Sequence, residues 1–325
     1  MKYKTKILSL CLLAAGLGLS LALGAFYSYR GSESRSARPL SSFLKTGTVN
    51  RLVFQNGGET QTLTAGSDSG KPLTAGKSNR SWTVLINDKP FPAAAAKAGR
   101  FFELLDEASL SPAVTENSGN WGRFGLEDTA EKRVSISGAS GEAEILLGKE
   151  DEAGRGQYIR FAGSSAVYLV SQSFSYYAER DSAYWSELRI FPASLKASDI
   201  AAIQASGKDV SYSLYRDRRP EGLAWIAEGS PDKNLDQGKT DSLAASVSQI
   251  AAKSFAADAE SSSAGLDSPD VVITLTASNQ TRYELRLSRA DEAGNRYCEA
   301  RINAEPRPYI YLLDSYTAGK ILSAP

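Results

Sequence analysis

Apolar positions along this chain follow two short periods and one continuous run. Val134 and Ile136 alternate with polar neighbours, as do Ile145 and Leu147; further on, Val271, Ile273 and Leu275 are followed by Tyr283, Leu285 and Leu287. A two-residue period puts one face of a strand in a core, so these stretches predict antiparallel strands. Ala98, Phe101, Leu105 and Ala108 recur at three or four residues and predict one helical face; Leu243, Val247, Ile250 and Ala251 predict another. The continuous run, Ile7 to about Tyr27, carries no charge over about 21 residues, close to the roughly 20 that cross a bilayer as a helix.

That run implies an address. Lys2, Lys4 and Lys6 precede it, so its short end is expected in the cytoplasm and the rest of the chain outside, although Arg30, Arg35 and Arg38 lie on the far side. We read residues 1–30 as a transmembrane anchor contacting lipid through residues 7–27, and residues 31–46 as a tether rich in serine and arginine. Leu21 to Ala25 also offers small residues acceptable to a signal peptidase. Cys11 has only Ile7 to Leu10 as an apolar core before it, too little for a lipoprotein signal.

The remainder repeats its order of elements. Val49 to Leu52 opens one unit and Ile200 to Ile203 a second; each leads through a short β-like stretch to a lone tryptophan, Trp82 or Trp225, and then to a helix. Next come Gly125-Leu126-Glu127-Asp128 and Gly265-Leu266-Asp267-Ser268-Pro269, the alternating strands, and the turns Asp151-Glu152-Ala153-Gly154 and Asp291-Glu292-Ala293-Gly294. Strands carrying Tyr158 and Tyr297 follow, and Val167 to Val170 and Tyr309 to Leu313 close the units. The predicted fold class is α+β: one N-terminal transmembrane helix, then two repeated units over residues 47–197 and 198–325, each an antiparallel sheet with a helix packed on one face. Gly57 to Asn79, poor in apolar residues, is expected to be a loop inserted in the first unit only.

Composition removes several functions. Lysine plus arginine number 37 and aspartate plus glutamate 37, without a long basic run, so no nucleic-acid partner is expected. Arg216, Arg218 and Arg219 form the densest basic cluster and read as a solvated turn before Pro220. With no histidine, serine- and cysteine-histidine relays and zincin motifs are excluded. Cys298, between Tyr297 and Glu299 on an alternating strand, reads as packing. Gly76-Lys77-Ser78 ends like a phosphate-binding loop, but five residues rather than four separate Gly70 from Gly76 and no apolar strand precedes it. The paired Asp-Glu-Ala-Gly segments read as solvated hairpin turns, and Trp82 and Trp225 as core anchors. No catalytic, cofactor-binding or metal-ligating residue is expected. The aromatics Tyr176, Tyr177 and Trp185, between the units, are the candidate partner or ligand contacts.

Trp82, Pro90-Phe91-Pro92-Ala93, Phe124-Gly125-Leu126, Leu147-Gly148, Tyr158-Ile159-Arg160 and Val167-Tyr168-Leu169-Val170, in this order, resemble domain-of-unknown-function family 4340 over roughly Val49 to Phe191. The second unit resembles a diverged copy: it keeps Trp225, Gly265 to Pro269 and Tyr297, lacks the Pro-x-Pro, and has Ser288 in place of Gly148. The resemblance implies a bacterial inner-membrane protein, single-pass, of a family not established as enzymes and associated with ABC transporter systems of the gliding-motility auxiliary type; we expect no enzyme. ABC permease or auxiliary membrane subunits are the partners it implies. The expected function is thus an extracytoplasmic accessory or scaffold protein of such a complex; the alternative is an envelope module binding cell-wall glycan through exposed aromatics. A hydrolase using carboxylates alone is a third possibility.

Overall fold

The computed structural model describes residues 37–44, 46, 48–66, 81–220, 222–230 and 235–323. The expected anchor at residues 7–27, residues 31–36 and 45 of the tether, and Gly70 to Ser78 lie outside the described residues. Among the described residues no helix is long and apolar enough to cross a membrane.

The fold is mixed α and β, dominated by two antiparallel sheets with few helices. The chain forms two compact units, the described part of Met1–Arg80 with Ala96–Glu179, and Ser81–Ala95 with Arg180–Pro325. The boundary therefore falls at 179/180, and the segment 81–95 groups with the second unit, whereas the sequence placed all of 47–197 in the first.

In chain order the elements to residue 179 are β1 (Arg38–Pro39), β2 (Val49–Asn56), β3 (Glu59–Ala65), β4 (Trp82–Ile86), β5 (Lys89–Pro92), α1 (Ala95–Glu107), β6 (Ser109–Leu110), α2 (Trp121–Phe124), β7 (Lys132–Gly138), β8 (Gly141–Glu150), β9 (Gln157–Phe161), β10 (Val167–Val170) and α3 (Ser175–Ala178). Within the first unit the strands run β1-β6-β10-β9-β8-β7-β2-β3. A bulge between Val49 and Arg51 shifts the alternation of β2, so that Val49, Leu52 and Phe54 are all buried. Phe101 of α1 is fully buried, its ring 4.9 Å from that of Phe54 and edge-on to it, with Tyr177 at 5.2 Å. Such edge-to-face aromatic contacts add to what burial alone supplies.

Gly57 to Asn79 is not simply a loop. Glu59–Ala65 is a full strand paired with β2, with Leu63 fully buried. Alternating threonines give β3 its β propensity without the apolar signature that would have marked it.

The second unit adds α4 (Ser182–Trp185), β11 (Ile200–Gly207), β12 (Ser211–Arg219), β13 (Gly222–Ala227), α5 (Gln237–Ser248), β14 (Ser254–Phe255), β15 (Val271–Ala277), β16 (Arg282–Leu287), β17 (Arg296–Ile302), β18 (Glu305–Leu313) and α6 (Ser315–Leu322). Its sheet runs β14-β18-β17-β16-β15-β11-β12-β13. Read from β6 and from β14, the two orders correspond strand for strand as far as β3 and β12. Even the bulge recurs, between Ile200 and Ala202 of β11. Helix α5 starts at an N-cap in which Asp236 accepts from the Lys239 N–H at 3.0 Å, and ends before Ile250 and Ala251. The Gln237 side chain accepts from Trp225 N at 2.7 Å and donates to Trp225 O at 3.0 Å, tying α5 to β13. Trp82 and Trp225 are both buried. Arg216 is no turn residue: it lies on β12, stacks on Trp225 and pairs with Asp241 at 2.9 Å.

Because Phe101 joins α1 to β2 and α3 at once, Phe101→Ala is expected to destabilise the protein by about 3–5 kcal/mol. Urea unfolding would show this as a lowered midpoint.

Candidate functional site

The Gly-Leu-acidic segments are built alike. In the first unit α2 is closed by Gly125 at φ 69°, with Gly125 N donating to Gly122 O and Leu126 N to Trp121 O at 3.1 Å. In the second, Gly265 has φ 71°, Gly265 N donates to Ser262 O, and Leu266 N to Ser261 O at 2.8 Å. The first is the helix-ending turn in which a left-handed residue, best supplied by glycine, satisfies the last carbonyls; the second repeats its hydrogen bonds at the end of a turn over 261–265 that is not helical. Both leucines are fully buried.

A buried charge lies beneath each turn. Arg160 of β9, 1% exposed, donates from Nε to Leu126 O at 3.0 Å, from Nη1 to Ser164 O at 3.1 Å and from Nη2 to Asp128 Oδ1 at 2.6 Å, while Trp121 covers its guanidinium at 3.8 Å. Its cross-strand partner is Leu146. At the corresponding pair of the second unit stand Glu299 and Arg286. Glu299 is also buried; Oε1 accepts from Arg286 at 3.2 Å and Arg301 at 2.9 Å, and Oε2 from Ser261 at 3.1 Å. A buried charge left unmatched is costly, so each holds its turn against the sheet.

Beside each turn is a cleft. The first, about 360 Å³, is lined by Gly125, Glu127, Gly148 and Lys149; the second, about 460 Å³, by Gly265, Ser268, Ser288, Arg289 and Asp291. A Cβ on Gly148 would lie 2.3 Å from Phe124 O, so glycine lets the turn close directly onto β8. Ser288 carries that Cβ, and the wider cleft goes with it. The neighbouring carboxylates are engaged locally. Asp151 accepts from Arg155 Nε at 2.8 Å, Tyr158 Oη at 3.0 Å and the Ala153 N–H; Asp291 accepts from Asn295 N at 2.8 Å, Asn295 Nδ2 at 3.0 Å and the Ala293 N–H. Arg155 foremost, then Tyr158, holds the Asp151 carboxyl well below the usual range; Asn295 foremost lowers Asp291. The Asp151 turn is thus not simply solvated, since Asp151 itself is 8% exposed.

A third concavity, about 440 Å³, is a groove wholly within the second unit. The β4–β5 hairpin turns on Asn87 and Asp88, both at positive φ, and presents Lys89, Pro90 and Phe91. The β17–β18 hairpin turns on Asn303 and Ala304 in the same way and presents Pro306, Arg307, Pro308 and Tyr309. Phe91 stacks on Phe255 of β14 at 4.6 Å, and Tyr309 lies 5.4 Å from Phe255 and 5.8 Å from Phe91. Lys89 Nζ donates to Ala257 O at 2.8 Å, and Asn87 binds Asp258, fixing the hairpin to the floor.

The aromatics singled out from sequence do not make a face. Trp185 is fully buried and Tyr177 is 7% exposed, each held in the core of its own unit; Tyr176, 47% exposed, is the one of the three offered to solvent. Both buried rings are taken up because their short helices lie under the sheets: Tyr177 packs on Phe101, and α4 on β4. Cys298 is fully buried, and burial pushes its thiol far above the usual range, so it remains protonated. Among the described residues no three acidic or cysteine side chains gather as metal ligands. Sequence reasoning missed the groove, because Pro90-Phe91-Pro92 reads as a motif and not as a strand; two prolines likewise hid the first half of β18.

The model of a family described as Domain of unknown function (DUF4340) matches residues 82–269, starting later than the resemblance suggested and running well into the second unit. An uncharacterized protein of Treponema pallidum (strain Nichols) is 24% identical over 139 residues, which are 42% of this chain and 44% of that protein. The chain thus spans less than half the length of that relative. No solved structure matches.

Replacing Arg160 by methionine should cost about 2–6 kcal/mol, since two carbonyls lose their buried donor at about 1–3 kcal/mol each, while Asp128→Asn, on an 81% exposed partner, should cost under about 1 kcal/mol. Thermal or urea unfolding of both variants checks the ranking. For Asp151 and Asp291 the folded pKa lies below the ordinary value near 3.9, so their stabilisation is complete above that value and is lost only as pH falls through the lower, folded one. Carboxyl-carbon NMR titration should place both midpoints below about 3.9; midpoints at or above it would contradict the hydrogen bonding described.

Proposed function

Since the chain belongs to domain-of-unknown-function family 4340, we propose that it is a non-enzymatic accessory or scaffold protein of a bacterial ABC-type transport or surface-assembly complex, held at the inner membrane by residues 7–27 with its bulk outside the cytoplasm. The observation that carries this reading is the preformed groove of the second unit, walled by the family-motif residues Pro90 and Phe91. A concavity built from two rigid hairpins and an aromatic cluster suits binding. Four groups of reactive type are engaged in the structure itself: Asp151 and Asp291 brace their own turns, Glu299 neutralises two arginines, and Cys298 is sealed in the core.

The chain further carries two tandem copies of one α+β domain, the second diverged. The matching strand orders, the shared bulge and the equivalent Gly-Leu turns support this. In the second copy the wider cleft at Ser288 and the reversed buried charge are the marks of divergence.

Mild crosslinking of native membranes, affinity capture and mass spectrometry test the proposal. Recovery of an ABC permease or its auxiliary subunits is expected, and should vanish when residues 47–325 are removed and the N-terminal segment kept. Consistent recovery of no such subunit would overturn the reading.

A further inference from the structure

We propose that the groove between the two hairpins of the second unit binds an extended acidic peptide segment of a partner protein. A proline or aromatic ring of that segment seats against Tyr309 and Pro308, and a neighbouring carboxylate pairs with Arg307. The inference rests on the partner-binding reading above, and adds the chemistry of what is bound.

Charge comes first. Four cations and two carboxylates line the groove or pair with its lining. Glu299 is matched by Arg286 and Arg301, and Asp258 by Lys89 at 3.7 Å. Arg307 is exposed at the rim and forms no ion pair among the described residues. The surplus is positive, and its available member is a guanidinium, which binds carboxylates through two parallel hydrogen bonds.

The backbone then decides the manner of binding. Strand β18 is paired with β14 only at Tyr311 and Leu312, with Ala256 N donating to Ile310 O just beyond. Its remaining half would invite a further strand, but Pro306 and Pro308 have no N–H to offer. Recognition therefore falls to side chains. Proline and tyrosine rings form the wall, as in grooves that take extended, ring-bearing peptides.

The same chemistry argues against a sugar. Saccharide hydroxyls are held by carboxylate and amide side chains, and the one carboxylate lining the groove has both oxygens occupied, Oε1 by two arginines and Oε2 by Ser261. The volume, about 440 Å³, lies within the roughly 300–1,000 Å³ of sites that enclose a small ligand or a few side chains.

Fluorescence anisotropy on the full chain tests this with four labelled probes: a short peptide of glutamate, proline and tyrosine; the same with glutamine for glutamate; the same with alanine for both ring residues; and an oligosaccharide of uronic acids. The acidic ring-bearing peptide is expected to bind about tenfold or more tightly than the other two peptides, and Arg307→Glu to weaken it by a similar factor. Because Arg307 is exposed, that variant should keep its unfolding midpoint; Tyr309→Ser provides a second, ring-directed loss. Equal binding of all peptides, no binding, or binding indifferent to Arg307→Glu would overturn the proposal. Selective binding of the oligosaccharide, lost in Arg307→Glu, would also overturn it and make the groove a glycan site. Peptide binding without recovery of a permease would leave the groove assignment standing and remove the transporter reading, whereas a permease recovered equally with Arg307→Glu would do the reverse.

Discussion

The need to match one buried charge beneath a left-handed glycine turn shapes both units. In the first, a guanidinium is enclosed and satisfied by the Leu126 carbonyl of the turn, the Ser164 carbonyl, the Asp128 carboxylate and a tryptophan face; in the second, a carboxylate is enclosed and satisfied by two guanidiniums and a hydroxyl. The sign differs between the units while the position in the sheet corresponds. Each unit thus places a multivalent hydrogen-bonding group at this position, and inside the sheet such a group must have its partners. Once that group is in place, the leucine after the glycine packs, and the long meander beyond it is fixed in register.

Smaller choices then differentiate the units. Glycine opposite the first turn lets it close on the sheet, where serine stands in the second, and the adjoining cleft is the smaller in the first. Arg155 on one side and Asn295 on the other close the acidic hairpins with different donors on an equivalent aspartate. The groove adds a different principle. Its walls come from two tight hairpins, each reversing through a pair of residues at positive φ, so the rings that line it are positioned by turn chemistry and by stacking on Phe255.

Much of this architecture was legible in the residues. Alternation at Val134 and Ile136 and at Val271 to Leu275 placed central strands correctly, since a half-buried sheet demands that period. The glycine turns were recognisable for the same reason: few residues tolerate φ near 70°. Strand β3 was illegible because threonine, not an aliphatic residue, carries its alternation, and the start of β18 because its prolines read as breakers. Burial of Trp185 and Tyr177 could not be inferred, as an aromatic cluster in a connecting segment has the same composition whether it faces a core or a ligand. The groove lay hidden for a related reason. Its two halves are more than 200 residues apart, from Phe91 to Tyr309, and no local pattern announces that distant hairpins will meet.

The assignment of Ser81–Ala95 to a unit whose other residues begin at Arg180 has a bearing on biogenesis. A chain made from its N-terminus releases this hairpin well before the residues that will enclose it. At about 5–20 residues per second, Phe91 would wait on the order of ten to thirty seconds for Phe255. Through that interval Trp82 and Phe91 are exposed apolar surface, open to holdase chaperones. An incomplete product would display them permanently and be marked for proteolysis. Interleaving the chain in this way makes the second unit a check on its own completion.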